Sequence, residues 1–376
     1  MSSLFGVIPI NISGADDIMN VINRLKKLKS GLKKNGLLPY LITDLTNIRY
    51  LTGFSGSYAR MIIDDKRSFF ISDARYEEYA ASLLPSSISF MLQKENPFRL
   101  ISSLLKAEKR KALFLEEHAL TLSEYQQLKM MCRGVKIISG GDEVNLLRMV
   151  KDKDEIRIIR DAAGIADRCV DHIKRFIKPG LTEWDVAVEI ELFYRKNGCR
   201  KTSFDSIVAA GPGSSMPHYQ TGMKRKIGKG DVLLIDMGCE YRGYNSDLTR
   251  TMFINSINPL FEKIYGIVLR AQLAACEAVK PGVTTGRLDG IARKIIGTEG
   301  YGEQFGHSLG HGIGMEVHEL PAIKAGSLKL KKSMVITIEP GIYVPGSGGV
   351  RIEDMVLVTA SGGEILTNAS KDITVI

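Results

Sequence analysis

The sequence predicts an α/β (α+β) protein of two domains, and three observations carry that prediction. The front third alternates short apolar runs with amphipathic helical patterns, the order of a mostly parallel sheet covered by helices. Beyond Ser203 the texture changes to glycine-punctuated strands rich in Val, Ile and Leu. Between these regions Ser139-Gly140-Gly141-Asp142 precedes a strongly charged stretch, which sets domains at 1–140 and 141–376. A chain of 376 residues is long for one domain and comfortable for two.

The elements follow in order. Apolar residues at helical spacing predict a first helix over 18–35, ended by Gly31 or Asn35-Gly36. An apolar run, Leu37 to Ile42, precedes the segment Asn47-Ile-Arg-Tyr-Leu-Thr-Gly-Phe-Ser-Gly. Alternating segments at 59–64 and 68–72, separated by Asp64-Asp65-Lys66-Arg67, read as a hairpin. Helical patterns recur at 75–84 and 100–106, followed by a strand at 112–115 and a helix at 123–132. In the second domain Lys151-Asp-Lys-Asp-Glu opens a long helix to about Ile177. Thr182-Glu183 caps another that reaches Lys196-Asn197-Gly198. Further helices fit 259–279 and 287–297. The stops Lys178-Pro179-Gly180 and Lys280-Pro281-Gly282, each followed by threonine and a helix, suggest an internal duplication.

Composition excludes several classes. With 44% hydrophobic, 25% charged and 7% aromatic residues, the chain is neither disordered nor fibrous. No stretch approaches the roughly eighteen uncharged apolar residues of a membrane span, and the N-terminus has no basic-then-apolar signal pattern. Five scattered cysteines without a CxxC pair suit reduced thiols and a cytoplasmic location. The net charge of +9 is spread: 21 Lys and Arg against 15 Asp and Glu in residues 1–150, and 30 against 27 beyond. The densest basic stretch, Arg24 to Lys34, alternates with leucines as the solvated face of a helix does. No nucleic-acid-binding signature accompanies it, so nucleic acid is not expected as a partner.

The chemistry lies in the second domain. Asp231-Val-Leu-Leu-Ile-Asp236 runs through Tyr241-Arg242-Gly243 into Asn245-Ser246-Asp247-Leu-Thr-Arg. A hairpin centred between Tyr241 and Arg242 would set Asp236 opposite Asp247, with Cβ atoms roughly 5 Å apart. Glu339 and Glu353 are likewise equidistant from Gly346 in a glycine-rich turn. Facing acids buried among Val, Ile and Leu repel one another unless a cation lies between them. Nearby, Phe305-Gly-His307-Ser-Leu-Gly-His311-Gly-Ile-Gly-Met-Glu-Val-His318-Glu-Leu-Pro321 holds three of the six histidines, and His218 follows Pro217. Its glycines favour extended chain with close backbone approach over a helical HxxxH. His118 and His172 read as surface residues. Four carboxylates with an imidazole favour manganese, or cobalt, iron or zinc, and balance two divalent ions. That is the donor set of a dinuclear hydrolase, with further histidines available for proton transfer.

These motifs resemble the pita-bread metallopeptidases, which include methionine aminopeptidase, aminopeptidase P and prolidase. The resemblance runs from about Lys151 to Val358 through DxG at Asp236, SDxTRT at Asp247, GHxxGHGIGxxVHExP from Gly306, and IEPGIY and RIED around the two glutamates. It implies Asp236 as a terminal metal ligand, Asp247 and Glu353 as bridging ligands, and His311 with Glu339 on the second metal. It further implies that His218, His307 and His318 assist substrate binding and proton transfer, and that Arg351 organises the site. All these positions hold the family's residue, which disfavours the remaining alternative of a non-catalytic peptide-binding scaffold. Creatinase shares the fold but has its ligand positions replaced.

The N-terminal domain is similar to that of the aminopeptidase P and prolidase branch, through Asn47–Ser57 and Ser72-Asp73-Ala74-Arg75-Tyr76-Glu77-Glu78. By this resemblance the chain would cleave before proline in Xaa-Pro peptides, use two manganese ions and form a homodimer. The same stretches favour an Xaa-Pro aminopeptidase, with Xaa-Pro dipeptidase (prolidase) as the alternative.

Overall fold

The computed structural model describes residues 15–376. Residues 1–14, on which the reading of a missing signal pattern rests, lie outside the described residues. The chain divides into two compact units, up to Arg148 and from Met149 onward. No helix among the described residues is long and apolar enough to cross a membrane.

The first unit contains α1 (Ala15–Lys34), β1 (Tyr40–Ile42), α2 (Leu45–Thr52), β2 (Arg60–Ile63), β3 (Ser68–Ser72), α3 (Glu77–Leu83) and β4 (Ile88–Leu92). It continues with α4 (Pro97–Ala107), β5 (Ala112–Leu115), α5 (Leu122–Met131), β6 (Lys136–Ser139) and α6 (Glu143–Arg148). The sheet order is β4-β3-β2-β1-β5-β6. The expected hairpin is β2–β3; with β1–β2 it is antiparallel, and the other three pairs are parallel. The segment after Asp44 is a helix, because the Asp44 carboxylate accepts from Thr46 and Asn47 N–H and Gly53 closes the far end at φ 77°. The division at Arg148 falls one short helix, α6, after the double glycine.

The second unit opens with α7 (Lys153–Phe176) and α8 (Glu183–Lys196). Strands β7 (Lys201–Thr202), β8 (Ile207–Ala210), β9 (Val232–Met237), β10 (Cys239–Tyr241), β11 (Tyr244–Asn245) and β12 (Leu248–Phe253) follow. Then come α9 (Pro259–Glu277), α10 (Thr285–Thr298), β13 (Gly310–Gly312), β14 (Glu319–Ile323), β15 (Val335–Ile338), β16 (Gly341–Val344), β17 (Gly348–Arg351), β18 (Asp354–Val358) and β19 (Gly363–Ile365). Capping boxes at Asp152/Glu155 and Thr182/Asp185 start α7 and α8, and Asn258 with Pro259 starts α9.

The unit is built twice. Ile165, Cys169, Ile173 and Ile190 of α7 and α8 pack under Val208, Leu233, Ile235 and Met252 of β8-β9-β12. Ile264, Val268, Leu288 and Ala292 of α9 and α10 pack under Ile336, Ile338 and Val356 of β14-β13-β15-β18-β19. The two Lys-Pro-Gly stops make the same hydrogen bonds. Gly180 N–H meets Ile227 O and Gly282 N–H meets Leu330 O, each at 2.9 Å; Thr182 bridges to Lys226 as Thr284 does to Lys329.

Behind the strands lies a buried charge knot. The Arg250 guanidinium donates to the carbonyls of Thr249 (2.9 Å), Glu353 (2.5 Å) and Ala369 (2.7 Å) and to Asp354 Oδ1 (2.7 Å). Asp354 also receives Thr367 Oγ1, Gln272 Nε2 and Lys371 Nζ, so the C-terminal tail is tied to β12 and β18.

Candidate metal centre

Every expected donor sits where a ladder ends or breaks, so its side chain is aimed by rigid strands while its backbone turns elsewhere. Asp236 is near the end of β9, Asp247 precedes β12, Glu339 lies between β15 and β16, and Glu353 lies between β17 and β18. The glutamate pair follows the expected symmetry. Val335↔Leu357 through Ile338↔Asp354, and Gly341↔Arg351 through Val344↔Gly348, are both symmetric about Gly346. Between those ladders Glu339 N–H donates to Leu309 O (2.8 Å) and Glu353 N–H to Thr249 O (3.2 Å).

The aspartate pair does not follow it. The two-residue turn is Arg242-Gly243, both left-handed at φ 51° and 90°, so Tyr241 faces Tyr244 and Asp236 faces Thr249. Asp247 is therefore diagonal to Asp236, not opposite. The turn is displaced by one residue because Gly243 accepts a positive φ that Tyr241 would resist.

His311 stands on a bulge in β13, where Gly310 pairs with Ile323 but Gly312 with Glu319. Its glycine neighbours are obligatory: a Cβ at Gly310 would lie 2.1 Å from Thr337 O, and one at Gly312 the same distance from Leu320 O. Extended chain in close approach, as expected, is what the histidine segment forms. His311 Nδ1 lies 3.1 Å from Gly312 O, which assigns the ring proton there and leaves the Nε2 lone pair facing inward. That lone pair lies 3.6 Å from Asp247 Oδ2 and 3.3 Å from Glu339 Oε1. Asp247, His311 and Glu353 each offer a ligand atom within 4.8 Å of the others.

Electrostatics point the same way. Burial, then the neighbouring acids, pushes Asp247 and Glu353 well above the carboxylate range; burial pushes Glu339 up to about 8. Burial, then His318, holds His311 down at about 4, so its imidazole is neutral. Asp236 Oδ1 and Glu353 Oε1 are buried oxygens without a hydrogen-bond donor, while their partner oxygens take Arg351 Nη2 (2.6 Å) and Thr249 Oγ1 (2.7 Å). Clustered acids whose charge burial disfavours, a buried carboxylate oxygen without a donor and an inward imidazole lone pair fit divalent cations, which would hold the acids ionised.

Arg351 is the protein's own cation here. It also donates from Nε to Thr249 Oγ1 (3.1 Å) and from Nη1 to Tyr343 Oη (2.9 Å) and Pro217 O (3.3 Å). Tyr343 Oη in turn meets His307 Nε2 at 2.9 Å, and His307 is held near 4 by burial and then by Arg351. The sequence reading missed Tyr343. Its signal was a single aromatic among glycines: it pairs with Gly349, and its hydroxyl folds over Gly341, which pairs with Arg351. His318 is exposed, its ring 4.3 Å from that of His311, and His218 is exposed on the turn after Pro217. His118 and His172 lie elsewhere, beside Asp142 and Glu189 respectively.

Residues 157–360 match the model of metallopeptidase family M24, and residues 24–150 match that of the creatinase/prolidase N-terminal domain. The chain belongs to metallopeptidase family M24. As a member of M24 it is a metal-dependent peptidase that acts on peptides. An Xaa-Pro dipeptidase of Pyrococcus horikoshii is 38% identical over 95% of this chain and 99% of its own. The solved Xaa-Pro dipeptidase from Bacillus anthracis is 37% identical, with a TM-score of 0.91 over 95% of this chain and all of that one. The X-Pro aminopeptidase from Thermotoga maritima is 36% identical, with a TM-score of 0.83 over 91% and 98%. M24 relatives of both substrate classes thus share this architecture.

Proposed function

We propose that this chain is an Xaa-Pro dipeptidase, hydrolysing the bond between an N-terminal residue and a following proline. The observation that carries the catalytic reading is the cluster of Asp247, Glu353 and a neutral His311, with ligand atoms within 4.8 Å of one another and a buried Glu353 oxygen that no donor satisfies. The dipeptide preference replaces the aminopeptidase reading favoured from the sequence, because near-full-length relatives at 38% and 39% identity carry the name Xaa-Pro dipeptidase. Asp236, Asp247, His311, Glu339 and Glu353 would hold two divalent ions, manganese being the proposed native metal. Bound there, such ions polarise a carbonyl and lower the pKa of water.

The protein's own groups frame that chemistry. Arg351 fixes Asp236 through one guanidinium nitrogen and Tyr343 through another. His307, kept neutral by burial with Nδ1 directed at Ser308 O, would accept the Tyr343 hydroxyl at Nε2 and so orient that phenol beside Arg351. His218 and His318, both exposed, would meet substrate. A cytoplasmic homodimer completes the proposal; sedimentation at twice the chain mass would support it.

Ala-Pro and Ala-Pro-Ala, each incubated with manganese-loaded protein and followed by HPLC, test the specificity. Cleavage of the dipeptide alone is expected. Release of alanine from the tripeptide would make the chain an aminopeptidase, and no cleavage of either would overturn the Xaa-Pro reading.

A further inference from the structure

Glu183 has no place in the chemistry above, yet its side chain is fully buried at the start of α8 (0% exposed). A buried carboxylate is costly and calls for a reason. The helix does not supply one, since Thr182 and Asp185 already form the cap. Nor does the duplicated frame. At the equivalent position the second half has Thr285, equally buried, whose N–H bonds Leu328 O as that of Glu183 bonds Arg225 O, both at 2.9 Å.

What Glu183 does hold is a loop. Oε1 accepts Ala210 N–H at 2.7 Å; Oε2 accepts Gly222 N–H at 2.8 Å and the Tyr219 hydroxyl at 2.9 Å. These donors stand just before, at the end of, and inside the segment 211–222 that carries His218. Gly222 approaches so closely that a Cβ there would lie 2.8 Å from Oε2. On the other flank of His218, Pro217 O is held by Arg351 Nη1.

We propose that Glu183 is a positioning residue, a staple that fixes Pro217-His218-Tyr219 so that His218 meets the substrate in one place. This rests on the Xaa-Pro peptidase reading. Tyr219 transmits the constraint, being adjacent to His218 and bonded to the carboxylate.

Tyr219→Phe removes one bond of the staple and keeps the ring. In the manganese-loaded full chain it should lower kcat/KM for Ala-Pro roughly tenfold or more while the chain stays folded, with Tm lowered only by the loss of one hydrogen bond. In a His218→Ala background the same change should cost less than about twofold. An equal cost in both backgrounds, or none in the wild type, overturns the proposal. The second measurement needs no activity. The imidazole NMR signal of His218, identified by its loss in His218→Ala, should shift in Tyr219→Phe and in Glu183→Gln. A signal unmoved in both overturns the staple. A wild-type chain that cleaves no Xaa-Pro peptide would sink the functional reading instead, leaving the NMR result to judge the staple.

Discussion

At Glu353 one carboxylate oxygen takes a hydrogen bond from Thr249 and the other takes none, although both are buried. Such an atom is costly in an apolar interior and valuable as a ligand, which is why Glu353→Gln should be among the most damaging isosteric changes in the chain. Its loss of manganese affinity, read by calorimetry, should exceed the roughly 10–100-fold that removing an outer partner of a metal ligand costs. Thr249→Val removes such an outer partner, since its hydroxyl bridges Glu353 and Arg351, and should fall within that range. Wild-type affinity in the glutamine variant would remove Glu353 from the ligand set. Glu339 and Glu353 were legible in the sequence, because acids placed symmetrically in Val- and Ile-rich strands stand out. Tyr343 and Glu183 were not legible. Their meaning depends on partners 36 residues away in sequence, His307 for one and Tyr219 for the other.

Among the elements, β13 is the one whose sequence is most tightly dictated by its neighbours. A methyl group on Gly310 would enter the carbonyl of Thr337, a backbone atom that cannot swing aside. Gly310→Ala should therefore cost about 3 kcal/mol, as overpacking does. For a unit of this size that lowers Tm by roughly 6–12 °C, and displacement of His311 should weaken metal binding as well. An unchanged Tm would show that the strand has room the geometry denies. Helices α7 to α10 were readable from caps, periodicity and Lys-Pro-Gly stops, since those signals are local. The register of β9 and β12 was not, because a choice between Tyr241-Arg242 and Arg242-Gly243 as turn centre moves every pairing. Strands β4 and β6 escaped for a related reason: they are short, and parallel pairing with distant strands, not a nearby turn, defines them.

On the scale of the whole molecule, the acids of the centre set how stability responds to pH once metal is stripped. Glu339, ordinarily near 4.5, is held at about 8 by burial. Between those values the folded chain keeps a proton that the unfolded chain has released, so stability falls as pH rises. Asp247 and Glu353, also raised by burial, act in the same direction. His311 and His307 act oppositely, but only below their ordinary 6.5. EDTA-treated protein should thus melt at a lower temperature at pH 8 than at pH 7, and added manganese should close the gap. A Tm that rises over that interval would contradict the assignment. The Arg250 knot carries a consequence of a different kind, one of timing. Arg250 and the carbonyl of Ala369 are 119 residues apart, and the Lys371 ammonium that helps neutralise Asp354 lies still later. While the chain emerges from the ribosome, strands β9 and β12, which carry Asp236 and follow Asp247 respectively, are complete long before the groups that brace them arrive. A chain truncated after Leu366 lacks both bracing groups and should consequently be protease-sensitive in the second unit.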